Sequence, residues 1–195
     1  RLVDALFVDD DLAFSEFFTS RRSFVNRRLA AIYDVPAAVS DGFGQVWFSD
    51  DDPRQGFLGQ ISFLGLHAHA VSTSATLRGL FLREAIMCQP TPPPPADVDT
   101  SIPEASADAP TLRERLASHL DSPACAGCHL LTDIPGLGFE NFDGLGRFRR
   151  TENGANIDAT GALGEIEFDG FRGLSDAVAV SKSVQGCVVR RLFDY

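Results

Sequence analysis

A mainly α fold is predicted for these 195 residues by three observations. Apolar side chains recur at helical spacing in most stretches with a readable pattern. Strand-like patterns are confined to two short runs, Gln45–Phe48 and Glu165–Phe168. A segment running from Pro90 through Pro95 and on through polar residues to Ala109 has the composition of a stiff spacer. It divides a helical module of unknown role over 1–89 from a second helical domain over 110–195, with 90–109 as the linker.

Leu2 to Phe18 has helical periodicity interrupted by Asp9-Asp10-Asp11, which predicts a helix, a capped turn and a second helix. Ser23 to Tyr33 reads as a further helix through Phe24, Leu29, Ile32 and Tyr33. Asp50-Asp51-Asp52-Pro53 reads as a solvated turn, since it lacks the ligand spacing of a calcium loop. Gly56–Leu66 is apolar enough for a buried helix, and Thr76–Cys88 carries a stronger helical pattern. Beyond the linker, Thr111-Leu112-Arg113-Glu114 is a capping box opening a helix to Leu120. Short helices are expected over Pro123–Leu131 and Gly138–Leu145, followed by a polar turn at Glu152-Asn153-Gly154. Leu174–Lys182 and Ser183–Phe193 close the chain as helices.

A net charge of −10 excludes nucleic acid as the expected partner, because phosphate neutralisation needs basic patches. It suits a chain steered toward basic protein surfaces. No stretch approaches a membrane span in length and apolarity. Arg1–Val8 contains Asp4 and no apolar leader core, so the sequence is expected to begin as a piece of something longer.

The most specific motif is Cys125-Ala126-Gly127-Cys128-His129. Two thiols three positions apart, followed at once by a histidine, form the covalent attachment signature of c-type haem. Each thiol can add to one porphyrin vinyl group, and His129 then reaches the metal as proximal ligand. A thioredoxin-like redox pair would call for a βαβ setting, and a zinc site for a second Cys/His pair at short spacing. Neither accompanies the motif. One covalent haem c and a cytochrome c-like helical domain over 110–195 are therefore expected. Such attachment normally takes place outside the cytoplasm, which favours a disulfide between the remaining cysteines, Cys88 and Cys187.

Four segments resemble the C-terminal part of the planctomycete-type cytochrome c proteins, large extracytoplasmic proteins built from several domains of unknown function. They are Phe24–Leu29 with Ile32-Tyr33; Arg54–Leu58 with Thr73-Ser74, Arg78-Gly79 and Pro92–Pro95; Cys125–His129 with Gly138–Asp143 and Gly146-Arg147; and Cys187–Leu192. The likeness covers nearly the whole chain, most loosely over its first fifty residues. Ala75 departs from it, standing where the family usually has proline. The family's activity is poorly defined, so the resemblance implies a haem c protein and little about its electron donor or substrate.

A metal-bound histidine usually donates its second ring N–H to a carbonyl or carboxylate. Asp133, Ile134 and Pro135 are the candidate acceptors, with Pro135 as a helix stop the alternative reading. For the sixth haem ligand the candidates are Met87, the chain's one methionine, and His67 or His69, with an open position as the remaining possibility. His119 is a candidate for a propionate contact. Arg147 and Arg149 are candidates to pair with propionates through guanidinium donors. Phe139, Phe142 and Phe148 offer apolar walls, while Glu140, Asn141 and Asp143 are expected to fix the surrounding turn.

Three functions remain open on the sequence. The first is a periplasmic or otherwise extracytoplasmic mono-haem cytochrome that carries electrons to a redox partner protein, as a module or subunit of a larger assembly. The second is a haem enzyme of peroxidase-like or oxidative type with an open sixth site. The third is a structural subunit of a membrane complex. Electron transfer is favoured over catalysis because no residue pattern requires substrate chemistry.

Overall fold

The computed structural model describes residues 1–92, 101–121 and 123–194. Pro93–Pro95 and the adjoining part of the expected linker lie outside them, as does the side chain of His119. Helices dominate, but three two-stranded antiparallel sheets stand among the described residues. The fold is therefore mixed α/β rather than mainly α.

The first departure from expectation comes early. Asp4–Asp9 is a π-helical turn and α1 is only Glu16–Thr19. The helix read from Ser23 onward is split into strand β1 (Arg22–Val25) and helix α2 (Arg27–Tyr33). Asn26 makes the split: its extended backbone ends the strand, and its side-chain oxygen accepts from the Arg28 and Leu29 amides at 3.1 and 2.9 Å. Such a cap competes with continuing the helix backward. Strand β2 (Gly44–Trp47) pairs with β1 in the register Arg22↔Trp47 to Val25↔Gly44.

Helix α3 covers only Ile61–Leu66 of the stretch read as Gly56–Leu66. Helix α4 (Ala75–Phe81) starts at the Ser74 cap, whose hydroxyl accepts from the Leu77 amide at 3.1 Å, and widens into a π-helical stretch over Leu82–Ile86. Ala75 occupies the first helical position, where a proline would fit equally well because that amide has no helical partner. Helix α5 (Leu112–Asp121) opens on the capping box, with the Thr111 amide donating to Glu114 at 2.8 Å.

Helix α6 runs from Pro123 to Gly136, through Pro135 rather than stopping at Leu131. A proline near the end of a helix removes one hydrogen bond there without preventing the last turn. Gly138–Leu145 is not a helix: a 3-10 turn over Leu137–Phe139 leads into irregular turns. Two hairpins come next, β3 (Thr151–Glu152) with β4 (Ala155–Asn156), and β5 (Thr160–Leu163) with β6 (Ile166–Asp169). Helices α7 (Gly170–Val180) and α8 (Lys182–Phe193) end the chain.

The main core takes residues from both sides of the proline segment. Phe18, Leu58, Phe63, Leu64 and Leu82 pack with Phe139, Phe142, Phe171, Leu174 and Val178. Cys88 and Cys187 form a disulfide that ties the end of the α4 π-helical stretch to α8. A cross-link over so long a loop stabilises chiefly by restricting the unfolded chain.

Helices α4 and α6 cross backbone against backbone. A Cβ on Gly79 would overlap the Thr132 carbonyl oxygen, and one on Gly136 would overlap that of Ala75. Only glycine lets the two helices come this close.

Candidate functional site

Cys125, Cys128 and His129 stand at i, i+3 and i+4 on α6, and that spacing places them on one face of the helix. Both thiols are outside any disulfide and half-buried. One turn further along the same face lies Asp133. Its carboxylate is fully buried, and Oδ2 sits 2.7 Å from His129 Nδ1. Of the candidate acceptors, the structure thus puts the carboxylate of Asp133 on the ring.

A buried carboxylate must be hydrogen-bonded or it is strongly unfavourable. Thr76 of α4 donates to Asp133 Oδ1 at 2.8 Å. The Thr132 hydroxyl lies 3.1 Å from the same oxygen and 3.3 Å from the Cys128 carbonyl, and its single proton serves one of the two at a time. Thr76 reaches Asp133 because Gly79 and Gly136 allow the helices to touch. The sequence offered Asp133 among the acceptors, but Thr76 was legible only as part of an amphipathic helix.

A second polar cluster lies in the turn after α6. Arg78, wholly buried, donates to the carbonyls of Phe139, Phe142, Leu64 and Asp143 at 3.0 to 3.2 Å. Burial pushes its guanidinium down to about 10, against the opposing pull of Glu140. Glu140, also buried, is raised above the usual carboxylate range by desolvation, which Arg78, Thr73 and Arg149 counteract. Glu140 Oε2 accepts from Thr73 Oγ1 at 2.7 Å and from Arg149 at 3.0 Å. Its other oxygen is 3.9 Å from Arg78, an electrostatic contact rather than a hydrogen bond. Arg54 completes the cluster, donating to Gly59 and Gly146 carbonyls at 2.7 Å and stacking 4.3 Å from the Tyr33 ring.

These two arginines were absent from the expected site residues. The signal for them was weak: an arginine inside an apolar helical run, Leu77 to Leu82, and another beside the Asp50–Asp52 turn. Glu140, Asn141 and Asp143 do hold the turn, with Asn141 donating to the Arg149 carbonyl and Asp143 Oδ1 accepting from the Leu145 and Arg147 amides.

The other expected residues are dispersed. Arg149 spends its donors on Glu140 and lies 3.7 Å from Glu152. Arg147 lines a cleft with Tyr33, Trp47 and Phe148. Phe139 and Phe142 are buried in the main core against Phe63 and Phe171, so they serve as core rather than as open walls. Phe148 is half-exposed and bridges to Phe142.

Met87 and Pro135 line a cleft of about 580 Å³ with Leu130, Leu131 and Ile134. Of these, Ile134 points opposite Cys125, whereas Leu131 and Pro135 share the stripe of Cys128. His67 packs between the Phe63 and Phe81 rings, with Nδ1 3.0 Å from the Phe63 carbonyl. His69 lines a different cleft with Ile61 and Leu145. Among the described residues no cluster of three or more His, Cys, Asp or Glu side chains is arranged to hold an ion.

The donor set fits a covalent haem c on its proximal side. Two thiols outside any disulfide share a helix face with an imidazole whose Nδ1 is held by a carboxylate, and a histidine fixed in this way offers a metal its other ring nitrogen. Residues 54–152, just over half of the chain, match the family PSCyt3, described as a protein of unknown function (DUF1588). The match runs from Arg54 through Arg78, the Cys125–His129 motif and Asp133 to Glu152. No curated protein and no solved structure matches.

Proposed function

The chain belongs to the PSCyt3 family, a domain associated with planctomycete c-type cytochromes, and from that premise we propose that it is an extracytoplasmic mono-haem c protein that carries electrons. The observation that carries the reading is the 2.7 Å bond from His129 to buried Asp133, beside two thiols on the same helix face. Bound there, a haem c supplies a one-electron redox centre.

The chain's own residues do the rest. Cys125 and Cys128 would hold the haem covalently through their thiols. His129 presents one ring nitrogen while Asp133 holds the other, fixing tautomer and orientation. The Cys88–Cys187 disulfide supports an oxidising compartment. The charge of −10 supports docking to a basic face of a redox partner, in a larger assembly or as a separate protein. Among the described residues no helix is long and apolar enough to cross a membrane.

One observation favours a second reading, a haem enzyme with an open sixth position. Met87, His67 and His69 sit in three different places, a cleft with Leu130 and Ile134, a stack between Phe63 and Phe81, and a cleft with Ile61 and Leu145, so no one of them is singled out as a sixth ligand. An optical spectrum of protein matured with a haem c attachment system tests both. Reduced haem c bands that survive denaturation, and that vanish in a C125A/C128A variant, are expected. Their absence overturns both readings. Bands indifferent to carbon monoxide establish two strong axial ligands and electron transfer, whereas rapid carbon monoxide binding brings the enzyme reading forward.

A further inference from the structure

We propose that Asp133 is a positioning residue that sets the donor strength of His129, so that the haem c of this chain is held toward its oxidised state. The inference rests on the haem c reading and deepens it. A backbone carbonyl and a carboxylate both accept the proximal N–H, but they differ in strength. A hydrogen bond to an ionised acceptor is about twice as strong as one between neutral groups. It draws the Nδ1 proton outward and raises the electron density that the opposite nitrogen offers a metal. Greater donation favours the more positive iron.

Three features of the structure point to this role rather than to a chance surface pair. Asp133 is fully buried, whereas the His129 side chain retains 23% exposure, so the pair is oriented outward from the core. The bond is 2.7 Å, in the range of charge-assisted contacts. The far oxygen is anchored by Thr76 from a different helix, at a crossing that two glycines make possible. Asp133 therefore cannot swing away when the ring moves, and its acceptor strength is tuned from α4.

The two oxygens predict opposite effects. Asp133→Asn replaces the anion by a neutral acceptor and weakens the hold on Nδ1. Thr76→Val removes a donor from Oδ1 and concentrates charge on the oxygen facing His129.

The test measures haem content and midpoint potential in wild type, D133N and T76V. Haem content should be equal in all three. The ferrous-to-ferric ratio at fixed potential should rise about tenfold in D133N, an upward shift of about 59 mV for one electron. T76V should move the potential in the opposite direction, by less. Should D133N fail to mature, T76V decides alone. Haem-loaded variants whose potential matches wild type overturn the inference while leaving the haem reading intact. Wild-type protein without covalent haem overturns the reading itself, and this inference with it.

Discussion

Two buried charges in this chain are neutralised in opposite ways, and the contrast separates scaffold from site. Arg78 turns inward: its donors end on the carbonyls of an irregular turn, with Glu140 as counter-charge. Asp133 turns outward: its oxygens gather two hydroxyls and then an imidazole that reaches partial exposure beside two thiols. In the first cluster the polar groups exist to shape backbone that no helix or strand could satisfy. In the second, a helix already satisfies the backbone, and the polar chain instead directs a ring. A buried ion surrounded by carbonyls is an architectural device, whereas one that ends on a half-exposed imidazole is a chemical one.

Arg78→Ala strikes the inward cluster and should have the greatest effect. It leaves Glu140 buried beside an empty guanidinium site and frees several carbonyls at once. Removing one partner of a buried pair costs about 3–5 kcal/mol. A denaturant titration should show that loss or no folded protein, and Arg78→Lys should not rescue it, since one ammonium cannot span the same carbonyls. A variant as stable as wild type would remove the architectural role.

Gly79→Ala tests the outward cluster through its foundation. Alanine gains about 1 kcal/mol over glycine in a helix. Overpacking costs about 1–3 kcal/mol, and here the collision is with the Thr132 backbone, which no rotamer change relieves. The cost should win, lowering stability by about 1 kcal/mol and parting Thr76 from Asp133. Calorimetry reads the first effect, and loss of the T76V difference in the G79A background reads the second.

A smaller change is expected at the start of α5, which precedes the Cys125–His129 motif and belongs to neither cluster. The Thr111 amide and hydroxyl hold the exposed Glu114 carboxyl below its ordinary value of 4.5. A lowered acid contributes stability that is fully present above 4.5 and is lost as pH falls through the lowered value. Melting temperature measured against pH should therefore decline on the acid side, and E114Q should flatten that part of the curve. Equal slopes would show that the cap carries no linked proton.

How legible each cluster was depends on its physics. Cys125, Cys128 and His129 are adjacent in sequence, so their spacing alone declared them. The Thr111–Glu114 box is also local, and it formed as its pattern predicted. The split at Asn26 was missed because Phe24, Leu29 and Ile32 mimic a helical period across a residue whose side chain caps instead. Phe139 and Phe142 likewise mimicked a helix over Gly138–Leu145, where the turn is held by an arginine about sixty residues upstream. Arg78 and Thr76 belong to α4 by pattern, but what they touch depends on a helix crossing that no short window displays. Gln45–Phe48 and Glu165–Phe168 read as strands and correspond to β2 and β6, whereas β3, β4 and β5, at two to four residues each, leave too little alternation to read.

The disulfide bears on thiol sorting as well as on stability. Four cysteines can pair in three ways. Closing Cys88 on Cys187 eliminates the other two pairings together, so within the chain Cys125 and Cys128 can thereafter be lost only to each other. On the proposed haem c reading, making this bridge first reduces the combinatorial problem facing porphyrin attachment to a single competing reaction.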